Sequence, residues 1–404
     1  MPSRAEIPPT AGLPLAWRDL VSTGGSDLEA GLAALLGVPR VQLECSGTAA
    51  LVVALTLLGR SRAGRRVIVP AYTCPLVALA VLRCGLVPVP CDLLPGSIDL
   101  DPERLDRLCA GDTLAVIPTH LGGRVADLAP VLEVARRQGV AVIEDAAQSL
   151  GARWRDSPVG LLGDVGFHSL AVGKGLTTYE GGVLLARDAA LRAGLRQVSA
   201  DVVPQCIGWE LRRSLELLGY AAFYRPAGLV VAYGMPLRRR LRQGRLIEAV
   251  GDDFAEDIPL HRLGRWRMAV AAKALARLPD FQQALRQQAM RRLPRLAGTE
   301  GVSVIQDGAD GQGTWPFFML LLPSRRVRDL ALARLWGAGL GVSRLYLDAL
   351  SAYPYLAGRL EPADDARARD FAGRMLTISN SPWLDDARFE TVAREIEAAV
   401  AAAD

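Results

Sequence analysis

Lysine is nearly absent from this 404-residue chain: all but two of its 47 basic residues are arginine, the exceptions being Lys174 and Lys273. Arginine stays charged at any working pH, whereas a lysine can serve as a neutral amine once its pKa is lowered. The two lysines are therefore the candidates for amine chemistry, and only Lys174 has neighbours that support it. Histidine is also scarce, at three residues (His120, His168, His261), and the six cysteines form no C-x-x-C pair. That argues against a structural zinc site. Charge of one sign is lacking: 47 basic against 43 acidic residues leaves +4, too little at this length to imply a nucleic-acid partner. MPSRAEIPPTAG contains no apolar h-region, so no secretory signal is read and the expected compartment is the cytoplasm, with free thiols. With half the residues apolar and 22% charged, the chain is neither disordered nor a multi-span transporter.

What is present, from about residue 40 to 190, is an alternation of short β-branched runs with helix-length segments. Strands are expected at Val67–Ala71, Val87–Cys91, Leu114–Thr119, Val140–Glu144, Gly166–Leu170 and Val183–Ala186. Such alternation implies crossover connections and a mostly parallel α/β sheet with helices on both faces. Ligands bind at the carboxyl ends of strands in sheets of this kind. Residues 259–293 read as one long helix stopped by Pro294. Beyond it, strands at Ser303–Gln306 and Pro316–Leu322 with three helices imply a small α+β domain. The expected organisation is a large domain over 1–200 and 255–295, an insertion over 201–254 and a small domain over 296–404.

Four features fall at strand ends of the first part. Ser46-Gly47-Thr48 opens a helix with small residues, a place where backbone N–H groups can approach a phosphate. Asp145 ends the apolar run VAVI, where a carboxylate can pair with a protonated ring nitrogen; Gln148 lies one turn on. Gly163 to Lys174 supplies a hydroxyl, Ser169, and an amine between two glycines. Glu180-Gly181-Gly182 is a tight turn. The lysine stretch is not a Walker A loop, since Gly175 follows Lys174 where Ser or Thr is required. Phosphate turn, acid and lysine together describe a pyridoxal phosphate pocket, because that cofactor needs a Schiff-base amine, an acid at its ring nitrogen and a cradle for its phosphate.

These motifs, with VIVPAYTCP, EDAAQSLGA, GDVGFHSL, RWRM and GVSRLY, make the chain resemble the DegT/StrS-type nucleotide-sugar aminotransferases. The resemblance implies a fold-type I pyridoxal phosphate enzyme, aspartate-aminotransferase-like, working as a homodimer with active sites at the subunit interface. It implies a Schiff base on Lys174, which also carries the proton, with Asp145 at the ring nitrogen and Gln148 near the ring hydroxyl. Ser46, Gly47, Thr48 and Ser169 would hold the phosphate. The implied reaction moves an amino group, from a small-molecule donor such as L-glutamate, to a keto-sugar or related carbonyl. Dehydratases of the family carry His at the position of Lys174, so amino transfer is favoured.

Three positions depart from the pattern. Cys74 replaces the aromatic residue that stacks on the cofactor ring, and can pack there as a small apolar group. Arg265 replaces an Asn that reaches the partner's phosphate; it would either make that contact or face solvent. Ser351 ends a stretch that usually ends in His. In addition Leu215–Leu237 is apolar, split by Arg225-Pro226, and flanked by arginines over 212–245. It reaches the ~20 residues of a membrane span, but the split makes it two short helices. Two readings of it stand together: a hairpin on an anionic membrane surface, which would make the protein peripheral on the inner face and its substrate lipid-linked or amphipathic, or a helix pair buried at the dimer interface or capping the site.

Overall fold

The computed structural model describes residues 5–21, 27–109 and 111–403; the first residues of the expected large domain and the last of the small one, Asp404, lie outside them. A seven-stranded sheet runs in the order 42–44, 182–186, 165–169, 141–145, 113–116, 66–70, 87–91. The last five strands pair in parallel, while Gly182–Ala186 is antiparallel to both its neighbours. The fold class is therefore the expected mixed α/β type.

Strand residues alternate between two apolar layers, as the two-residue period of a strand requires. Val67, Val69, Ala115, Ile117 and Ile143 face the layer built on helices Gly47–Ser61 and Pro75–Arg83. Ile68, Val116 and Val142 face the layer that includes helix Ala129–Gln138. Burial on both faces explains why these strands read as continuous apolar runs.

A second sheet, ordered 303–304, 317–321, 375–379, 342–343, is antiparallel throughout. Its strand Met375–Ser379 was not expected: all five residues are buried, so no alternation marks it, and it follows helix Ala366–Arg374 directly. The expected long helix is instead two, Arg265–Leu275 and Leu278–Ala297. Pro279 sits at the start of the second, where its missing N–H costs nothing. Pro294 does not end that helix; it lies in the last turn, and Leu296 beyond it is buried in the core.

The apolar stretch forms helix Ile207–Phe223, a break at Tyr224–Arg225, then a helical segment from Pro226 to Arg242. That segment widens into a π turn over Val230–Gly234, just before Pro236, which has no N–H to give. Leu217, Tyr220 and Leu229 pack inward, whereas Ile207, Leu211 and Leu215, four residues apart on one face, are exposed. No helix among the described residues is long and apolar enough to cross a membrane.

Candidate active site

Strand Ala141–Asp145 carries two acids to its end, and they face different tasks. Glu144 is fully buried and satisfied: it bonds His120 Nε2 at 2.8 Å and accepts from the backbone N–H groups of Gly160, Leu162 (2.7 Å) and Gly163 (3.2 Å). Those contacts outweigh burial and hold its pKa below the usual value. Asp145 is 4% exposed, and its carboxylate accepts one hydrogen bond among the described residues, from Ala147 N–H at 3.0 Å. Burial pushes its carboxyl up to about 6, opposed by that bond and by the charges of Lys174 and His120. It is a buried acid with acceptor capacity to spare.

Lys174 lies in the loop after strand Val165–Ser169, which pairs with the Asp145 strand. It sits between Gly173 (φ +79°) and Gly175 (φ +86°), left-handed conformations that favour glycine. The side chain keeps some accessible surface, yet the protein around its amine lowers its pKa; Cys74 and Asp145 act in the opposite direction. The loop is anchored on both sides of the lysine. Thr10 Oγ1 donates to Gly173 O at 3.0 Å and Leu13 N–H to Gly175 O at 2.8 Å. Thr10 and Leu13 are held in turn from the end of helix Ile207–Phe223: Tyr224 donates to Thr10 O at 3.1 Å and Tyr220 to Leu13 O at 3.2 Å.

Ser46 caps helix Gly47–Ser61, accepting from Ala49 N–H at 3.0 Å. The N–H groups of Gly47 and Thr48 precede the first intrahelical acceptor, which leaves them for a ligand or water. A Cβ on Gly47 would stand 3.1 Å from Ser169 Cβ, so the serine and the helix start form one close-walled cradle. The Cys74 thiol, at the cap of helix Pro75–Arg83, is pushed up to about 12 by burial, with the charge of Lys174 acting in the opposite direction.

Gln148 and Arg265 have these surroundings in the folded chain. Gln148 has both amide ends engaged by protein, accepting from Gly122 N–H at 2.7 Å and donating to Tyr346 Oη at 3.0 Å. Arg265, at the start of helix Arg265–Leu275, is exposed. Its neighbour Arg267 is buried and bidentate to Glu210 of helix Ile207–Phe223, and donates to Glu180 O at 2.7 Å. Sequence reasoning missed Asp252 and Tyr353. Asp252, 2% exposed and raised to about 6 by burial, accepts from Tyr353 Oη and from Leu347 N–H at 2.8 Å. Nothing around Asp252 in the sequence marks it; Tyr346 did lie within the GVSRLY motif.

A buried acid with a free acceptor, an amine in the loop after the paired strand and a helix start with a small-residue wall together fit pyridoxal phosphate: Asp145 for the ring nitrogen, Lys174 for attachment, Ser46–Thr48 and Ser169 for the phosphate. Residues 21–209 match the DegT/DnrJ/EryC1/StrS aminotransferase family. That match covers a little under half of the chain. The chain is 39% identical to GDP-perosamine synthase of Caulobacter vibrioides over 170 residues, 42% of this chain and 46% of that protein. It is also 39% identical to L-glutamine:2-deoxy-scyllo-inosose aminotransferase of Micromonospora echinospora over 180 residues, 43% of each. The chain thus spans a little under half the length of these curated relatives. Over 93% of its length and 89% of the other, the chain aligns at TM-score 0.69 and 25% identity with DesV of S. venezuelae, solved with a ketimine intermediate.

Proposed function

We propose that this protein is a pyridoxal phosphate-dependent aminotransferase acting on a keto-sugar or a related cyclic carbonyl. The observation that carries the reading is the placement of Asp145 and of the Lys174 loop at the ends of two paired strands, beside the Gly47–Ser169 cradle. The names of the relatives, sugar and aminocyclitol aminotransferases, support the substrate class.

When bound, pyridoxal phosphate supplies an aldehyde carbon for attachment to an amine and a ring that accepts electrons. The chain supplies the rest. Ser46, Thr48 and Ser169, with the N–H groups at the helix start, bind the phosphate dianion. Asp145 holds the proton on the ring nitrogen, since a buried carboxylate gains most from a charged donor. Lys174 Nζ moves the substrate proton; burial favours its uncharged form, the form able to take one. Cys74 packs against the ring, and Gln148 stiffens the cleft by joining Gly122 to Tyr346. The reading includes a second copy of the chain, with the exposed Arg265 reaching its partner's phosphate, and an amino-acid donor, L-glutamate or L-glutamine.

The test is absorbance with added pyridoxal phosphate. The wild type should show a visible band that borohydride removes, and Lys174→Ala should show none and no amino transfer. A wild-type protein without that band refutes the reading.

A further inference from the structure

Between the segment Val231–Leu246 and helix Arg325–Leu335 lies a groove of about 1300 Å³. None of Lys174, Asp145, Cys74, Ser169 or the Ser46–Thr48 turn lines it. Its wall holds Arg238, Arg239, Arg240, Arg242, Arg245 and Arg344, against a single carboxylate, Asp329. That carboxylate is engaged by Arg328 at 2.7 Å, while Arg245 is paired with Glu248 and Arg238 with Glu6. Arg239, Arg240, Arg242 and Arg344 have no ion pair among the described residues.

Charge alone would describe any solvated basic face. Three further donors make this a built site. Arg344 Nε, Arg238 Nη2 and Trp336 Nε1 are buried without a hydrogen-bond acceptor, and all three residues line the groove. Trp336 is 6% exposed, so its indole N–H is not simply surface. A buried donor left unmade costs about 1–3 kcal/mol, which a ligand acceptor would recover. Arg344 and Arg328 both donate to Ala372 O at 3.1 Å, so two guanidiniums converge with too little negative charge between them. Burial and Arg328 together press the pKa of Arg344 down to about 10.

A carboxylate would satisfy one arginine fork. Donors from three separate side chains, with more arginines at the rim, match the several oxygens and double charge of a phosphate group. We propose that this groove binds a phosphate or diphosphate ester, with Arg344, Arg238 and Trp336 at its base and Arg239, Arg240 and Arg242 at its rim. The inference stands apart from the reading of the Lys174 cleft.

The test is calorimetric titration of the full chain with inorganic pyrophosphate, alongside flotation with phosphatidylglycerol vesicles and with neutral phosphatidylcholine vesicles. Pyrophosphate should bind at one site, more weakly as salt rises. Trp336→Phe, which removes the N–H and leaves a smaller aromatic ring in place of the indole, should weaken it about tenfold. The triple change Arg239→Gln, Arg240→Gln and Arg242→Gln, all exposed, should weaken it at least as much. Gly47→Ala, in the other phosphate cradle, should leave this binding intact. Pyrophosphate binding of this pattern identifies a free phosphate ester. Flotation with the anionic vesicles alone, lost in Trp336→Phe, identifies a lipid headgroup as the source of the phosphate. No binding in either arm, or binding that both groove variants leave unchanged, overturns the proposal.

Discussion

Replacing Asp145 by Asn should make the cofactor-free protein more stable while abolishing its chemistry. The carboxyl titrates near 3.8 in an unfolded chain and near about 6 in the folded one. A raised carboxyl pKa favours folding only while the group is protonated. Its contribution is full below the unfolded value and is lost as pH rises through the folded value. Above pH 6 the folded state therefore carries a penalty on the order of 3 kcal/mol from this one acid. Asn keeps an oxygen for Ala147 N–H at the same position and carries no charge to desolvate. In urea unfolding of the cofactor-free proteins at pH 8, Asp145→Asn should exceed wild type by about 1–3 kcal/mol. The gain should shrink as pH falls towards 4. Amino transfer should drop by at least about a hundredfold, because a neutral amide cannot hold the ring proton. A variant no more stable than wild type at pH 8 would refute the view that Asp145 is an acid kept buried for a ligand.

Three other changes probe the framework. Gly47→Ala puts a Cβ 3.1 Å from Ser169 and should weaken pyridoxal phosphate binding about tenfold, read from a titration of the visible band, with little change in unfolding midpoint. Glu144→Gln replaces an acceptor of four bonds by one with a misplaced N–H donor, and should cost about 3–5 kcal/mol in urea unfolding. Tyr224→Phe leaves the buried Gly12 N–H, now bonded at 2.9 Å, without an acceptor; a loss of about 1–3 kcal/mol is expected in the same measurement.

The parallel sheet was legible because strands and helices alternate and each element carries its own pattern: Val67–Val69 is β-branched, and Ser46 caps the helix that follows. Lys174, Asp145 and the Ser46–Thr48 turn could be singled out as candidates because their chemistry is rare or local: one supported lysine, one strand-end acid, one helix start. Met375–Ser379 was not, since full burial erases the two-residue period that distinguishes a strand. Asp252 was equally hidden: its partners Leu347 and Tyr353 are about a hundred residues away in sequence, and only folding makes the acid buried. Arg124 shows the same limit, lying 3.3 Å over the ring of Trp315 from a distant part of the chain.

The anchoring of the lysine loop has a dynamic consequence. Two stacked tyrosines, 220 and 224, grip the strand of backbone that clasps the carbonyls on either side of position 174. Any fluctuation that swings the amine out of register must first slacken a helix rooted in the 207–242 arm. Amide exchange at 173–175 should therefore rise and fall with that at 220–224, as one cooperative opening rather than two.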